Sequence, residues 1–165
     1  MTPELRRPFP IERIGPTGQS HAVTVTATKE ECVALALRMG VPAIRSVVCD
    51  FRLRRETDAA ISAQGRLRAR VTQTCIVSLD DFAVNLTEDF RIRFVPAGAE
   101  SDNEDPESED ELGYEGVSID LGEATAEQLG LALDPYPRKP DAALPENEPE
   151  AKPHPFAALA ALRKP

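Results

Sequence analysis

The stretch Ile61-Ser-Ala-Gln-Gly-Arg-Leu-Arg-Ala-Arg-Val71 decides how this chain folds. Its apolar residues Ile61, Ala63, Leu67, Ala69 and Val71 fall at every second position, and Arg66, Arg68 and Arg70 stand between them. Successive side chains of a strand point to opposite faces, so a period of two predicts one face in a core and one in water. The same period extends to both sides. It predicts strands over about 44–56, 60–74 and 82–95, with turns near Thr57-Asp58 and Leu79-Asp-Asp81. Long strands close together in sequence favour an antiparallel meander.

Working outward, a strand is expected over 21–28, around Val23 and Val25. Thr28-Lys-Glu-Glu31 then offers a capping box for a helix to about Met39, with Val33, Leu35, Ala36 and Leu37 available for burial. Gly40 and Pro42 end it. Residues 1–20 read as an irregular lead-in anchored by Phe9, Ile11 and Ile14. Residues 97–113 are too acidic and too poor in apolar side chains to offset ordering entropy, which predicts a mobile loop. A short strand over 114–121 and a helix over 122–133 follow, the helix with Ala124, Leu129, Ala132 and Leu133 on its apolar side. The expected class is α+β: mainly an antiparallel meander with two or three short helices, an acidic loop and a Pro-rich C-terminal tail. Residues 1–137 read as one domain interrupted at about 97–113, residues 138–153 as a Pro/Glu-rich linker, and 154–165 as a short helix.

The strand phase gathers cations. Arg52 and Arg54 oppose Val47, Cys49, Phe51 and Leu53; Arg66, Arg68 and Arg70 oppose the apolar set quoted above; Arg91 and Arg93 oppose Phe90, Ile92 and Phe94. If the strands pair consecutively, these seven arginines share one surface, and only Asp50, Glu56 and Asp89 sit at matching phase to neutralise them. Charge on the open face of a half-buried sheet is the ordinary state of affairs. An excess of arginine without lysine points further, because the planar guanidinium donates bidentately to phosphate. No aromatic shares the face, so base stacking is not expected there, and any RNA contact is to the backbone.

Charge along the chain is divided. Residues 1–98 hold 14 Lys+Arg against 11 Asp+Glu, whereas residues 99–165 hold 5 against 17, and the whole carries −9. Such asymmetry separates a binding surface from an acidic segment, here a candidate internal competitor for the arginine face. No apolar run approaches the roughly 20 residues that span a bilayer, and Met1-Thr-Pro-Glu-Leu-Arg-Arg7 has no hydrophobic leader stretch. Three separated cysteines do not suggest a disulfide framework. A cytoplasmic protein is expected. His21 and His154 lack a nucleophile context, Asp80-Asp81 reads as turn chemistry, and no phosphate loop or metalloprotease motif occurs. An enzyme is therefore not expected.

Gly65-Arg-Leu-Arg-Ala-Arg-Val-Thr-Gln-Thr-Cys75, then Phe82, then Glu88-Asp-Phe-Arg-Ile-Arg-Phe-Val-Pro96 resemble the large ribosomal RNA subunit accumulation protein family (YceD-like). Ile119-Asp-Leu-Gly-Glu123 and Glu127-Gln-Leu-Gly-Leu-Ala-Leu-Asp-Pro135 extend the resemblance. Pro135-Tyr-Pro-Arg-Lys-Pro140 and the terminal Phe-Ala-Ala-Leu resemble its alphaproteobacterial branch. The resemblance implies a part in ribosome biogenesis. Many such relatives carry Cys-x-x-Cys and C-terminal cysteines that look like a zinc site. Here Cys75 is followed by Ser78, and Asp134-Pro-Tyr-Pro-Arg138 contains no cysteine. Zinc is not carried over, no cofactor is expected, and Pro135, Tyr136 and Pro137 are expected to pin the helix end by packing.

The leading expectation is a non-enzymatic factor that binds precursor large-subunit RNA or an early large-subunit ribosomal protein, with Arg52, Arg54, Arg66, Arg68, Arg70, Arg91 and Arg93 on the RNA backbone. The alternative is a protein adaptor acting through Phe156, Leu159 and Leu162 of the terminal helix and through the acidic segment, without RNA contact.

Overall fold

Apolar–polar alternation becomes strand wherever it was read in the sequence. In the computed structural model, which describes residues 4–56, 59–100 and 109–143, β1 (Pro8–Pro10) and β2 (Ser20–Thr26) precede α1 (Lys29–Met39). The long strands β3 (Ala43–Arg55), β4 (Ile61–Thr74) and β5 (Asp81–Pro96) follow. Then come β6 (Asp110–Tyr114), β7 (Ser118–Asp120) and α2 (Leu121–Ala132). Five strands form one sheet in the order β2-β3-β4-β5-β6, and β1 pairs with β7 in a small second sheet. The class is α+β, as the periodicity predicted.

The first four sheet strands are antiparallel neighbours. β6 runs parallel to β5, from Ile92 opposite Asp110 to Pro96 opposite Tyr114. The antiparallel meander therefore ends in a parallel pair. A parallel pair needs a crossover of about a dozen residues or more, and residues 97–109 supply that length. The acidic loop is also shorter than expected, because Asp110–Gly113 join the sheet. Leu112 and Tyr114 gain partial burial against the core there. Residues 101–108 of that loop lie outside the described residues.

One face of the sheet carries the core. Along β4, residues from Ile61 to Gln73 alternate buried with more exposed positions without interruption. α1 packs on β3, and α2 packs on β4, β5, β1 and β2. Leu35, Leu53, Leu67, Ile92, Leu121 and Leu129 are wholly buried. Each such side chain stabilises the fold by about 1.5–3 kcal/mol relative to exposure.

α1 begins as read. Thr28 Oγ1 accepts from the Glu31 amide at 3.2 Å, and Glu31 Oε2 accepts from the Thr28 amide at 2.8 Å. Gly40 closes it in the left-handed region at φ 66°, where a side chain would be strained. The buried face is Cys32, Leu35 and Ala36, while Val33 and Leu37 are 71% and 85% exposed. Burial of those two was expected and does not occur, because at 100° per residue they stand opposite the Cys32–Leu35–Ala36 stripe.

The lead-in is more ordered than its composition suggested. Leu5, Phe9 and Ile14 are buried, and β1 pairs with β7 in the register Phe9 opposite Ile119. Arg7 ties this segment down: its guanidinium forms a two-point pair with Glu31 at 2.7 Å and donates to the Thr26 carbonyl at 3.0 Å. Its amide also donates to Asp120 Oδ1 at 2.9 Å. Asp120 in turn caps α2 through the amides of Gly122 and Glu123.

Gly122 permits this docking, since a Cβ there would lie 2.7 Å from both the Arg7 amide nitrogen and the Leu5 carbonyl oxygen. These are backbone atoms and cannot swing aside. Gly122→Ala is expected to cost about 1–3 kcal/mol through overpacking, read as a lower urea midpoint. An unchanged midpoint would show that the segment is not pressed against α2.

Candidate nucleic-acid interface

Strand register settles how the arginines lie relative to each other. Directly opposite residues of an antiparallel pair share a face. Arg52, Gln64 and Arg91 form one row across β3, β4 and β5; Arg54, Ser62 and Arg93 form the next. Asp50, Arg66 and Asp89 form a third, Val48, Arg68 and Thr87 a fourth, and Ser46, Arg70 and Asn85 a fifth. All seven arginines therefore lie on one face, the one turned away from both helices.

The three carboxylates at matching phase are spent on three of these cations. Arg66 holds Asp89 by a two-point pair at 2.7 and 2.8 Å, and Arg68 reaches diagonally to Asp50 at 2.6 Å. Arg93 meets Glu56 at 2.8 Å and also Glu111 of β6 at 3.0 Å. The pairing with Arg66 holds the Asp89 carboxyl below its ordinary range. Arg66 and Arg68 keep 61% and 55% of their side-chain surface exposed, so these are surface pairs of small net worth. Arg93 is only 26% exposed and serves the edge of the sheet. Among the described residues Arg52, Arg54, Arg70 and Arg91 form no ion pair.

Gly65 shapes the middle of the face. A Cβ at Gly65 would fall 2.1 Å from the Phe90 ring, which lies across it on the core side and meets Phe51 edge-on at 5.8 Å. On the open side a shallow hollow is lined by Thr24, Asp50, Arg52, Gln64, Arg66 and Asp89. No aromatic ring shares this face among the described residues, since Phe51 and Phe90 pair across Gly65 on the core side.

Sequence phase located the face but could not say which cations are free. That depends on register, since Arg66 stands directly opposite Asp89 and Asp50 is within diagonal reach of Arg68. Glu111 was missed because its segment was read as loop. Phe156, Leu159 and Leu162 lie outside the described residues, as does His154.

At the far end of the β4–β5 hairpin, Cys75 organises a turn. Its amide donates to the Asp80 carbonyl, and its sulfur accepts from the amides of Lys139, Val77 and Ser78 at 3.3, 3.4 and 3.5 Å. The Ile76 amide donates to the Pro137 carbonyl, and the Gln73 side chain donates to the Asp134 carbonyl. The segment after α2 is thus held through its backbone by the Gln73 side chain, the Ile76 amide and the Cys75 sulfur, as far as Lys139 inside the stretch read as linker. Packing by Tyr136 was expected and is not seen, because its side chain is 71% exposed.

Cys75 is the one thiol here, and no group of three metal-ligating side chains occurs among the described residues.

The face and fold define an α+β domain with a helix layer on one side of its sheet and an open, arginine-bearing surface on the other. The family model described as "Large ribosomal RNA subunit accumulation protein YceD" matches residues 63–163, and the chain belongs to that family. The family's name ties it to accumulation of large-subunit ribosomal RNA, and so to ribosome biogenesis. No curated protein and no solved structure matches the chain. No helix among the described residues is long and apolar enough to cross a membrane.

The amides around Cys75, that of Lys139 foremost, bring its pKa down to about 6, whereas burial pushes the Cys49 thiol up to about 12. A group whose pKa falls on folding stabilises the fold above its unfolded value, here 9.0, and loses that contribution as pH drops through the folded value. The advantage of the native chain over Cys75→Ser is therefore expected to shrink from pH 9 towards pH 6. Thermal melts across that range measure it, and an advantage independent of pH would show that the sulfur is not held as thiolate.

Proposed function

We propose that this chain is a non-enzymatic, cytoplasmic assembly factor whose arginine face holds the phosphate backbone of precursor large-subunit RNA. The supporting observation is that Arg52, Arg54, Arg70 and Arg91 form no ion pair among the described residues, on a sheet face where those residues place no aromatic ring, in a chain whose family is named for large-subunit ribosomal RNA accumulation.

Spacing argues for an extended polyanion. Arg52 and Arg91 are two strands apart, about 10 Å, and Arg54 is about 7 Å along the strand from Arg52. One small anion does not span such distances, whereas successive phosphates do. Arg66 and Arg68 already hold carboxylates in exposed two-point or single contacts, and phosphate oxygens offer the same acceptor geometry. Without aromatic platforms the face reads shape and charge rather than base identity.

Each phosphate contact releases counterions, so the logarithm of affinity falls with the logarithm of salt by about 0.7–0.9 per contact. The triple variant Arg52→Ala, Arg54→Ala, Arg91→Ala is expected to bind a large-subunit RNA transcript more weakly and with a slope about 2–3 shallower. Fluorescence anisotropy over a salt series gives both quantities. Unchanged affinity and slope in a variant with an unchanged denaturation midpoint would show that the face is only solvated.

A further inference from the structure

β5 is the strand whose outer edge is only partly used. β6 pairs with it from Ile92 to Pro96, and among the described residues no strand pairs with the outer edge from Asp81 to Arg91. Native sheets usually blunt such an edge with proline, a bulge, brevity or charged side chains, and of these the edge carries charge alone, with Glu88 the one charge on its core phase. This segment, Asp81-Phe-Ala-Val-Asn-Leu-Thr-Glu-Asp-Phe-Arg91, contains no proline or glycine and stays in unbroken register with β4. On its core-facing phase, Phe82, Val84, Leu86 and Phe90 are only half-buried. Of its five core-phase places four are apolar and one is Glu88, which stands opposite Leu67 and is exposed; the apolar four invite another strand.

We infer that the occupant is the same edge of a second copy, joined antiparallel about a twofold axis at Leu86. Two features of the segment select that register. It sets Asp81 of each copy opposite Arg91 of the other, and both side chains are exposed. It also uses the whole open edge, since β6 occupies the positions beyond Arg91 and the Cys75–Asp80 turn lies before Asp81. Moving the axis to Asn85 would place Asp81 opposite Asp89, a like-charge pair. Moving it to Thr87 would drive Phe82 against Ile92, where β6 already sits. An axis between residues would set a core-phase residue directly opposite an open-phase one, which a regular antiparallel pair does not allow.

In the selected register Phe82 lies across from Phe90, Leu86 from Leu86, and Val84 from the aliphatic stem of Glu88. Cross-strand aromatic, aliphatic and opposite-charge pairs are the stabilising units of a sheet. Arg91, without an ion pair among the described residues of its own chain, gains one. The two arginine faces fall on the same side of one continuous sheet, so the dimer presents a basic surface twice as wide. The dimer does not depend on what that surface binds.

Sedimentation of the full-length chain tests this. The native protein is expected to show a concentration-dependent species of twice 18.0 kDa. Asp81→Arg sets two arginine pairs across the interface and is expected to weaken association about tenfold or more. The double variant Asp81→Arg, Arg91→Asp restores the pairs with their signs exchanged and is expected to recover association to within about threefold. Leu86→Lys places like charges together on the axis and is expected to leave a folded monomer by circular dichroism. A native chain that stays monomeric to about 1 mM overturns the inference, including the case in which the edge takes a strand from a different protein. Dimers that survive Leu86→Lys, or a double variant no better than Asp81→Arg, overturn it as well. RNA affinity of the Leu86→Lys monomer, which retains all seven arginines and carries its new charge on the helix side of the sheet, reports on the arginine face separately.

Discussion

Side chains alternate across a strand, so a slip of one residue in β3, β4 or β5 would bury that strand's arginines and expose its apolar residues. The whole structure rests on that register being kept. It runs from Ser46 opposite Arg70 to Arg55 opposite Ile61, and from Ile61 opposite Phe94 to Thr74 opposite Asp81. The only irregularity is a bulge between Ile44 and Ser46, next to the entry from α1. Apolar residues on one phase supply the stabilisation, and the cost of burying a guanidinium without a partner excludes the alternative phase.

The open face is electrostatically uneven as a result. Carboxylates at Asp50 and Asp89 sit in its middle and engage Arg68 and Arg66, while Glu56 and Glu111 take Arg93 at its rim. These contacts limit repulsion among neighbouring cations without neutralising the surface. Elsewhere arginines do structural work. Arg38 links Glu4 to Glu123 and so joins the lead-in to both helices, and Arg55 donates to the Ile11 carbonyl at 2.6 Å. Arginine content alone therefore overstates the binding surface, and sheet phase is what separates the two uses.

The turn at Cys75 shows how a small polar hub can replace bulk. Its sulfur is closed off from water, yet three amides solvate it, which favours the thiolate despite burial. The same turn puts Leu79 in the left-handed region at φ 61°, a strained position for a residue with a side chain. Two hydrogen bonds between this turn and the chain beyond α2, from the Ile76 amide to the Pro137 carbonyl and from the Lys139 amide to the Cys75 sulfur, hold that chain against the sheet.

Local sequence determined strands β2 to β5, the capped helix α1 and the phase of the arginine face, because periods of 2 and 3.6 and a four-residue cap are properties of contiguous residues. The family resemblance was legible in the same way, from motifs in order. Only tertiary structure decided the rest. Which arginines are neutralised depends on cross-strand opposition, which no single segment encodes. Val33 and Leu37 were assigned to the core because they are apolar, but the position of the sheet decides which side of α1 is covered. β6 and β1 were invisible because five- and three-residue strands carry too little alternation to be read alone, and each forms only against a partner already in place. The open edge of β5 belongs with these, since a strand shows which of its sides is unpaired only once its neighbours are known.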